Sequence, residues 1–418
     1  MARFGAPCEC VLPSRVFCAG VMVSIIDLRA SMPSAEANLL VSRLSPPPIP
    51  SVLAWAREYK GAKGPLVDLS QAVPGYPAHP EMLRLLGEAA SSPTTTGYGP
   101  IEGEGVLREV YARQMSDVYG APVAARNVQI TAGCNQAFMA AAIALAGAGD
   151  SVALTNPFYF NQETTLSMLG INRVLVECDA GNGFLPDIAS AEKALASGAK
   201  ALAIVTPNNP TGAIYPPELL RALFDLCRSH GSWLIVDETY RDFLPEGYGA
   251  PHPLLSIPGW EETLILLYSF SKSFCIPGHR LGAITAGEGV VAEIVKVMDN
   301  MQICAPRAAQ VAVAEAMPVL ADWRAANRLE IARRADALRA VMAELPGWEI
   351  GALGAYFAFI RHPFADLSSS AVAERLAKEA GVVCLPGSYF GVGQERYLRL
   401  AFANADAVSI GRLVERLR

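Results

Sequence analysis

Segments able to cross a membrane are scarce in this chain. The apolar stretch VFCAGVMVSII at 16–26 is too short to span a bilayer, and no transmembrane helix is expected elsewhere. Arg3 and Arg15 ahead of it give the outline of a signal peptide, but Asp27 and Arg29 spoil the cleavage region. Residues 1–30 are therefore expected to be a flexible N-terminal extension, or to result from a start codon assigned too early. Basic runs are also missing: charged residues make up 18% of the chain and the net charge is −6, which leaves no electrostatic case for nucleic acid or an anionic membrane. The nine cysteines are odd in number and scattered, which argues against a disulfide framework and for reduced thiols in a reducing, cytoplasmic compartment. Cys8 and Cys10 form the only close pair, and no His or Cys cluster has the spacing to complete a zinc site, so no metal is expected. Neither GxGxxG nor GxxxxGK[ST] occurs, which removes the main support for dinucleotide or P-loop chemistry.

What is present is core. At 418 residues and 52% hydrophobic content, the chain predicts two domains or one large subunit, with apolar surface left for self-association and a small molecule as partner. After the SPPPIP connector (45–50), LAWAREY (53–59) begins a helical pattern and PLVDLSQAVPGYP reads as extended. From about 105 to 290, short continuous apolar runs alternate with helical periodicity: NVQITAG, SVALTNP, ALAIVTP, WLIVDE and LILLYSF stand between helix-like segments. Continuous rather than alternating runs are expected where helices cover both faces of a parallel sheet, so the fold class is α/β, doubly wound. Past 320 a long charged helix, then GAYFAFI, AVAERLAKEA, VVCLPG and YLRLAFA predict a smaller α+β domain. The expected division is 31–64 plus 321–418 for the small domain and 65–320 for the large one.

Open α/β sheets bind ligands beyond the carboxyl ends of their strands, so the residues after each run carry the functional information. NNPTG (208–212), DETY (237–240) and SKSF (271–274) place Asn209, Asp237, Tyr240 and Lys272 on one rim. Each has an ordinary structural use, as turn, cap or half-buried aromatic. Together they fit one task. A desolvated lysine can form a Schiff base with a carbonyl ligand, and pyridoxal phosphate is the obvious carbonyl. Its ring nitrogen needs a carboxylate, which Asp237 supplies; its phenolate needs donors, for which Asn209 and Tyr240 stand ready. Its phosphate needs amides and a cation: the TAGCNQA turn (131–137), with Gly133, Cys134 and Asn135 opening a helix, and then Ser269 and Arg280.

Eight motifs in order, YGPIEG (98–103), TAGCNQA, NPFY (156–159), NNPTG, DETY, SFSKSFCIPGHRLG (269–282), PGSYFG (386–391) and YLRLAFA (397–403), make the chain from about residue 50 resemble the class I/II pyridoxal phosphate-dependent aminotransferases of the aspartate aminotransferase fold. The resemblance implies that Lys272 is the Schiff-base lysine and proton shuttle, with Asp237 at the pyridine nitrogen and Asn209 and Tyr240 at the phenolic oxygen. It further implies that Tyr159 stacks on the cofactor and that Cys134 and Asn135 bind phosphate. Tyr98 would reach the phosphate of a neighbouring subunit, which makes a homodimer with shared sites the expected assembly. Arg399 resembles the arginine that grips the substrate carboxylate, a role its planar fork suits.

The departures bear on substrate. LSQAVPGYP (69–77) carries Ser70 and Ala72 where a related branch has two glycines, so Ala72 adds a methyl at the expected substrate entrance. His279 is read as a space filler in preference to an acid. Only Arg307 offers itself as a second cation for an acidic side chain, which favours neutral or aromatic amino acids as donors. A β-lyase or cyclopropane-forming synthase on the same scaffold would share every cofactor residue. A non-catalytic ligand sensor would need an attached DNA-binding domain, for which the residues before about 45 are too few and too weakly basic.

Overall fold

The computed structural model describes residues 35–418, and Leu40–Arg418 form one compact unit. The expected N-terminal extension, the Cys8 and Cys10 pair, the stretch at 16–26 and the first residues of the expected small domain lie outside the described residues. In chain order the strands are β1 (Val67–Asp68), β2 (Val128–Thr131), β3 (Ser151–Asn156), β4 (Asn172–Asp179), β5 (Leu185–Pro186), β6 (Ala201–Val205), β7 (Trp233–Asp237), β8 (Leu264–Ser269) and β9 (Gly282–Ala286). They continue with β10 (Glu349–Gly354), β11 (Phe357–Arg361), β12 (Val382–Val383), β13 (Leu385–Pro386) and β14 (Tyr397–Leu400).

Eight strands form one sheet in the order β2-β9-β8-β7-β6-β3-β4-β5. β8, β7, β6, β3 and β4 run parallel, while β9 and the short β5 run against their neighbours. Alternate residues of the central strands feed cores on opposite faces: Leu234 and Val236 enter one, Ile235 the other, and Leu264 and Leu266 oppose Ile265 and Leu267 in the same way. Both faces are covered, which is why these runs are apolar throughout. The helix Pro217–Ser229 buries Leu220, Leu223, Phe224 and Cys227, a stripe at helical spacing, against one face. The alanine-rich helix Cys134–Leu145 presses Ala137, Phe138 and Ala140–Ala142 against the other.

A second, antiparallel sheet has the order β10-β11-β14-β13 and packs beside the 23-residue helix Ala321–Ala343, which turns Ile331, Ala335, Leu338 and Met342 into a separate core. The doubly wound sheet and the smaller α+β element set agree with the expected class. Three strands carried no clear signal: β4 mixes Arg173, Glu177 and Asp179 into its run, β9 is a plain GAITA, and β10 is EIGALG. The helix expected in LAWAREY, which follows a short one at Leu39–Ser42, also differs from expectation. It runs Pro48–Ala56 instead of starting in LAWAREY, because Pro48 occupies a first-turn position where the missing N–H costs nothing.

Candidate active site

Strand order reverses at β3, whose neighbours β4 and β6 come after it in sequence on opposite sides, and beyond the carboxyl ends of these strands lies a cavity of about 1160 Å³. Asn209, Asp237, Tyr240, Ser269, Lys272, Arg280, Cys134, Asn135, Tyr159, Ala72 and Arg399 all line it.

Lys272 sits in the short helix Phe270–Ser273 directly after β8. Its Nζ donates to the Ala72 carbonyl at 2.5 Å and meets no carboxylate. Burial, and then the positive charges of Arg280 and Arg399, bring this amine from the usual lysine value of 10.5 down to about 8. Asp237 closes β7. Its Oδ1 accepts from the Thr239 amide at 3.0 Å and hydroxyl at 2.7 Å, and its Oδ2 from Gln162 Nε2 at 3.3 Å. Burial outweighs those bonds and raises the carboxyl above its usual value. A buried carboxylate facing a cavity without a cation of its own is a place for a positively charged ligand atom. The next residue points the other way: Glu238 is packed with Tyr119, 2.5 Å from its hydroxyl, His252 at 3.0 Å and Arg241 at 3.5 Å. Burial pushes Glu238 up, but His252 and Arg241 outweigh it and hold the carboxyl below its usual value.

A helix mouth flanked by a cation forms a cup on the same cavity, with Cys134 beside Asp237. The helix Cys134–Leu145 opens after Gly133, whose φ of 88° is open to glycine, and its first amides have no acceptor within the helix. A Cβ on Gly133 would run into the Arg280 guanidinium, so the glycine also makes room for that cation. Among the described residues Arg280 is held only by carbonyls, from Pro277 at 3.0 Å and Ala132 at 3.3 Å, and meets no carboxylate. Ser269 caps the helix of Lys272, and the buried Ser271 Oγ on the cavity wall bonds nothing.

Arg399, on β14, is 2% exposed and has no carboxylate partner among the described residues. Nη1 donates to Asn209 Oδ1 at 3.1 Å, Nη2 to the Ser70 carbonyl, and Nε has no acceptor. Phe357 and Phe390 lie 5.0 and 5.1 Å from its Cζ, clamping the guanidinium between rings. Burial lowers it to about 10. Tyr159 accepts from Asn161 Nδ2 at 2.7 Å and reaches Asn135 Oδ1 at 3.4 Å, while Tyr240 packs edge-on to Phe357 at 5.1 Å.

Two expected residues stand apart. Tyr98 is 80% exposed and does not line the cavity of its own chain. Arg307 pairs with Glu104 at 2.5 Å and with the Gly97 carbonyl at 3.1 Å, also outside that cavity. His279 is exposed, so within the chain it fills no space, contrary to the reading from sequence; the turn after Pro277 carries it outward. Sequence reasoning missed Gln162 and Thr239 around Asp237, the carbonyls of Ser70 and Ala72, and the wall formed by Pro46–Pro48, which it had taken for a connector. Of these only Thr239 had a signal, its place two residues after a strand-end aspartate.

Comparison with known proteins agrees with this geometry. The family profile described as "Aminotransferase class I and II" matches residues 65–417. An aromatic aminotransferase of Arabidopsis thaliana is 30% identical over 84% of this chain and 89% of its own length. An aspartate aminotransferase of Pyrococcus horikoshii is 27% identical over 78% of this chain and 83% of its own. Among solved structures, a double mutant of Thermus thermophilus aspartate aminotransferase superposes with a TM-score of 0.84 at 27% identity, covering 92% of this chain and 99% of that one. A lysine and a buried aspartate, each at a strand end, thus share one cavity on the scaffold of enzymes that transfer amino groups, and the chain belongs to the class I and II aminotransferases.

Proposed function

We propose that this aminotransferase works with pyridoxal 5′-phosphate and moves an amino group between an α-amino acid and a 2-oxo acid in two half-reactions. The observation that carries the proposal is Lys272, an amine desolvated to about 8 in the same cavity as Asp237 and the Gly133–Arg280 cup. The fit is supported by Arg280, which meets carbonyls but no carboxylate among the described residues, by the orphaned Ser271 Oγ, and by the Asp237 carboxylate, which is hydrogen-bonded but has no cation beside it. Bound pyridoxal phosphate supplies an aldehyde that condenses with amines and a protonated ring that draws electrons from the substrate's α-carbon.

Each residue then has a defined task. The first amides of the helix at Cys134 and Asn135, with Ser269 and Arg280, hold the phosphate. Asp237 keeps a proton on the ring nitrogen, Asn209 and Tyr240 donate to the phenolic oxygen, and Tyr159 covers one ring face. Lys272 Nζ would take the proton from the substrate α-carbon and carry it to the cofactor's C4′ carbon, acting first as base and then as acid. Arg399 grips the α-carboxylate through two parallel bonds, which orients that carbon. The exposed Tyr98 supports a homodimer in which it reaches the partner's phosphate. The small sheet at 349–400 supports a small domain over 321–418 beside a large one, but β1 pairs with β12 and Val67 and Leu69 enter the small-sheet core, so residues 67–69 go with the small domain and not, as expected from 65–320, with the large one. All six described cysteines are free, which fits a reducing, cytoplasmic compartment.

The donor we favour is neutral or aromatic. Beyond Lys272, Arg280 and Arg399 the only cation on the cavity wall among the described residues is Arg173, and Glu163 already neutralises it. Leu44, Ile49, Val73, Phe158, Phe160 and Tyr389 supply an apolar surface. A panel of amino donors with pyruvate and 2-oxoglutarate tests this; faster turnover of aspartate than of phenylalanine would refute it.

Two predictions arise here. Arg399→Lys keeps the charge but loses the two-point grip, so kcat/KM should fall by one to two orders of magnitude for every amino acid, matching about 1.5–3 kcal/mol for a charged hydrogen bond. Cofactor affinity and Tm should stay near wild type. A fall confined to acidic donors would assign Arg399 to the side chain instead. The second concerns pH. Only the neutral amine attacks an aldehyde, so capture of cofactor by the cofactor-free protein should accelerate as pH rises and level off above about 8. Stopped-flow absorbance reads this directly, and a midpoint near the ordinary lysine value would mean a solvated amine.

A further inference from the structure

A second cavity, of about 420 Å³, lies between the turn after Tyr240, the loop 244–251 and the helix Ala321–Ala343. Its charged groups are Arg241, Asp242, Arg324 and Arg328. Arg241 is matched, with Glu238 at 3.5 Å and the Tyr268 ring 4.1 Å from its Cζ. Asp242 is matched by Arg324 at 2.5 Å. Arg328 is not: it pairs with no carboxylate among the described residues, and its Nε, like that of Arg324, is shut from solvent without an acceptor. A guanidinium cannot shed its proton to relieve that cost. Arg324 and Arg328 are also one helical turn apart, so their forks share a face. Gln114, with its amide turned, takes both Nη atoms of Arg324, at 2.9 and 3.1 Å, so the cavity holds the unmatched charge of Arg328 and two buried Nε donors without an acceptor, the chemistry that recognises an oxyanion.

We propose that this cavity binds a small oxyanion, a phosphate or carboxylate group, and that the bound anion inhibits the enzyme from outside the active site. The route is a chain of contacts. Asp242 takes Arg324 on one oxygen and the Tyr268 hydroxyl on the other at 2.6 Å; the same hydroxyl lies 2.7 Å from Ser273 Oγ, beside Lys272. Arg324 also covers the Phe274 ring, 4.9 Å from its Cζ. An anion that draws Arg324 toward Arg328 takes it from Asp242 and Phe274 at once, and the turn that aims Lys272 loses its brace. The effect on turnover rests on Lys272 being the reactive amine; the binding does not.

The test uses the cofactor-loaded enzyme, so that the active-site cup is filled. Inorganic phosphate and, in a separate arm, acetate are titrated at constant ionic strength against Tm and steady-state kinetics. Phosphate or acetate should raise Tm saturably and lower kcat by at least about fivefold, the low end of ordinary coupling between sites, with KM unchanged. The more potent of the two names the group recognised. Arg328→Gln should keep basal activity and Tm while losing both responses. Failure of both anions to raise Tm, or an equal rise in Arg328→Gln, overturns the site. A rise in Tm without a change in kcat overturns the coupling, and an effect on KM alone places the anion at Arg399.

Discussion

Replacement of Lys272 by alanine should abolish transamination while leaving the protein folded. The amine makes one hydrogen bond, to the Ala72 carbonyl, and no ion pair, so its removal relieves a desolvated charge instead of breaking a network. Tm of the cofactor-free variant should match or exceed wild type near neutral pH, where the native amine is still mostly protonated and buried. Turnover should fall by about four orders of magnitude, the upper end of what a positioned acid–base group contributes, because in the mechanism we propose the same nitrogen anchors the cofactor and moves the α-proton. Borohydride treatment should no longer attach cofactor mass to the chain. A small primary amine added to the buffer can enter the space that Lys272 leaves, and partial recovery of proton transfer with it separates the shuttle from the anchor. Wild-type turnover in the variant would remove the whole assignment. Release of ammonia by the wild-type enzyme in place of transamination, lost together with Lys272, would point instead to lyase chemistry.

How much of the site is legible in the chain depends on the kind of contact. The rim residues Asn209, Asp237, Tyr240 and Lys272 were legible because a strand's end is set by its own short apolar run, and the residues just past that run must sit at the sheet's carboxyl edge. The two-core packing of β7 and β8 was legible for the same reason, since unbroken apolarity has no other use in a sheet. Contacts made by backbone were not. The Ser70 and Ala72 carbonyls that meet Arg399 and Lys272 come from a loop about 200 residues before the lysine, and a carbonyl has no sequence signature. Nor was the inward turn of Glu238 visible: DETY reads as two adjacent acids, and only the tertiary approach of Tyr119, His252 and Arg241 sends the second into the core. β4 escaped because its exposed edge tolerates Arg173, Glu177 and Asp179, which blur the period.

Asp237→Asn is expected to have the next largest effect, and it tests the electronic half of the mechanism. Asparagine has the same shape and can still accept from the Thr239 amide and hydroxyl through its remaining oxygen, so the end of β7 should not move. What changes is the sign of the group facing the cavity. Native Asp237 presents a carboxylate whose burial is unfavourable without a cation, and a proton on the ligand's ring nitrogen supplies one. The amide presents either a donor, which favours the unprotonated ring, or a weaker acceptor. Either way the ring draws electrons less strongly, and removal of the α-proton should slow by about 10²–10³-fold, the usual cost of deleting one preorganised electrostatic partner. Cofactor should remain bound, since the cup and Lys272 are untouched. A larger isotope effect with α-deuterated donor should appear as proton removal becomes the slow step. Asp237→Glu, which keeps the charge but displaces it by one methylene, should fall between wild type and asparagine. A loss smaller than about tenfold in Asp237→Asn, equivalent to roughly 1.4 kcal/mol of barrier, would mean that the ring nitrogen is served by another group.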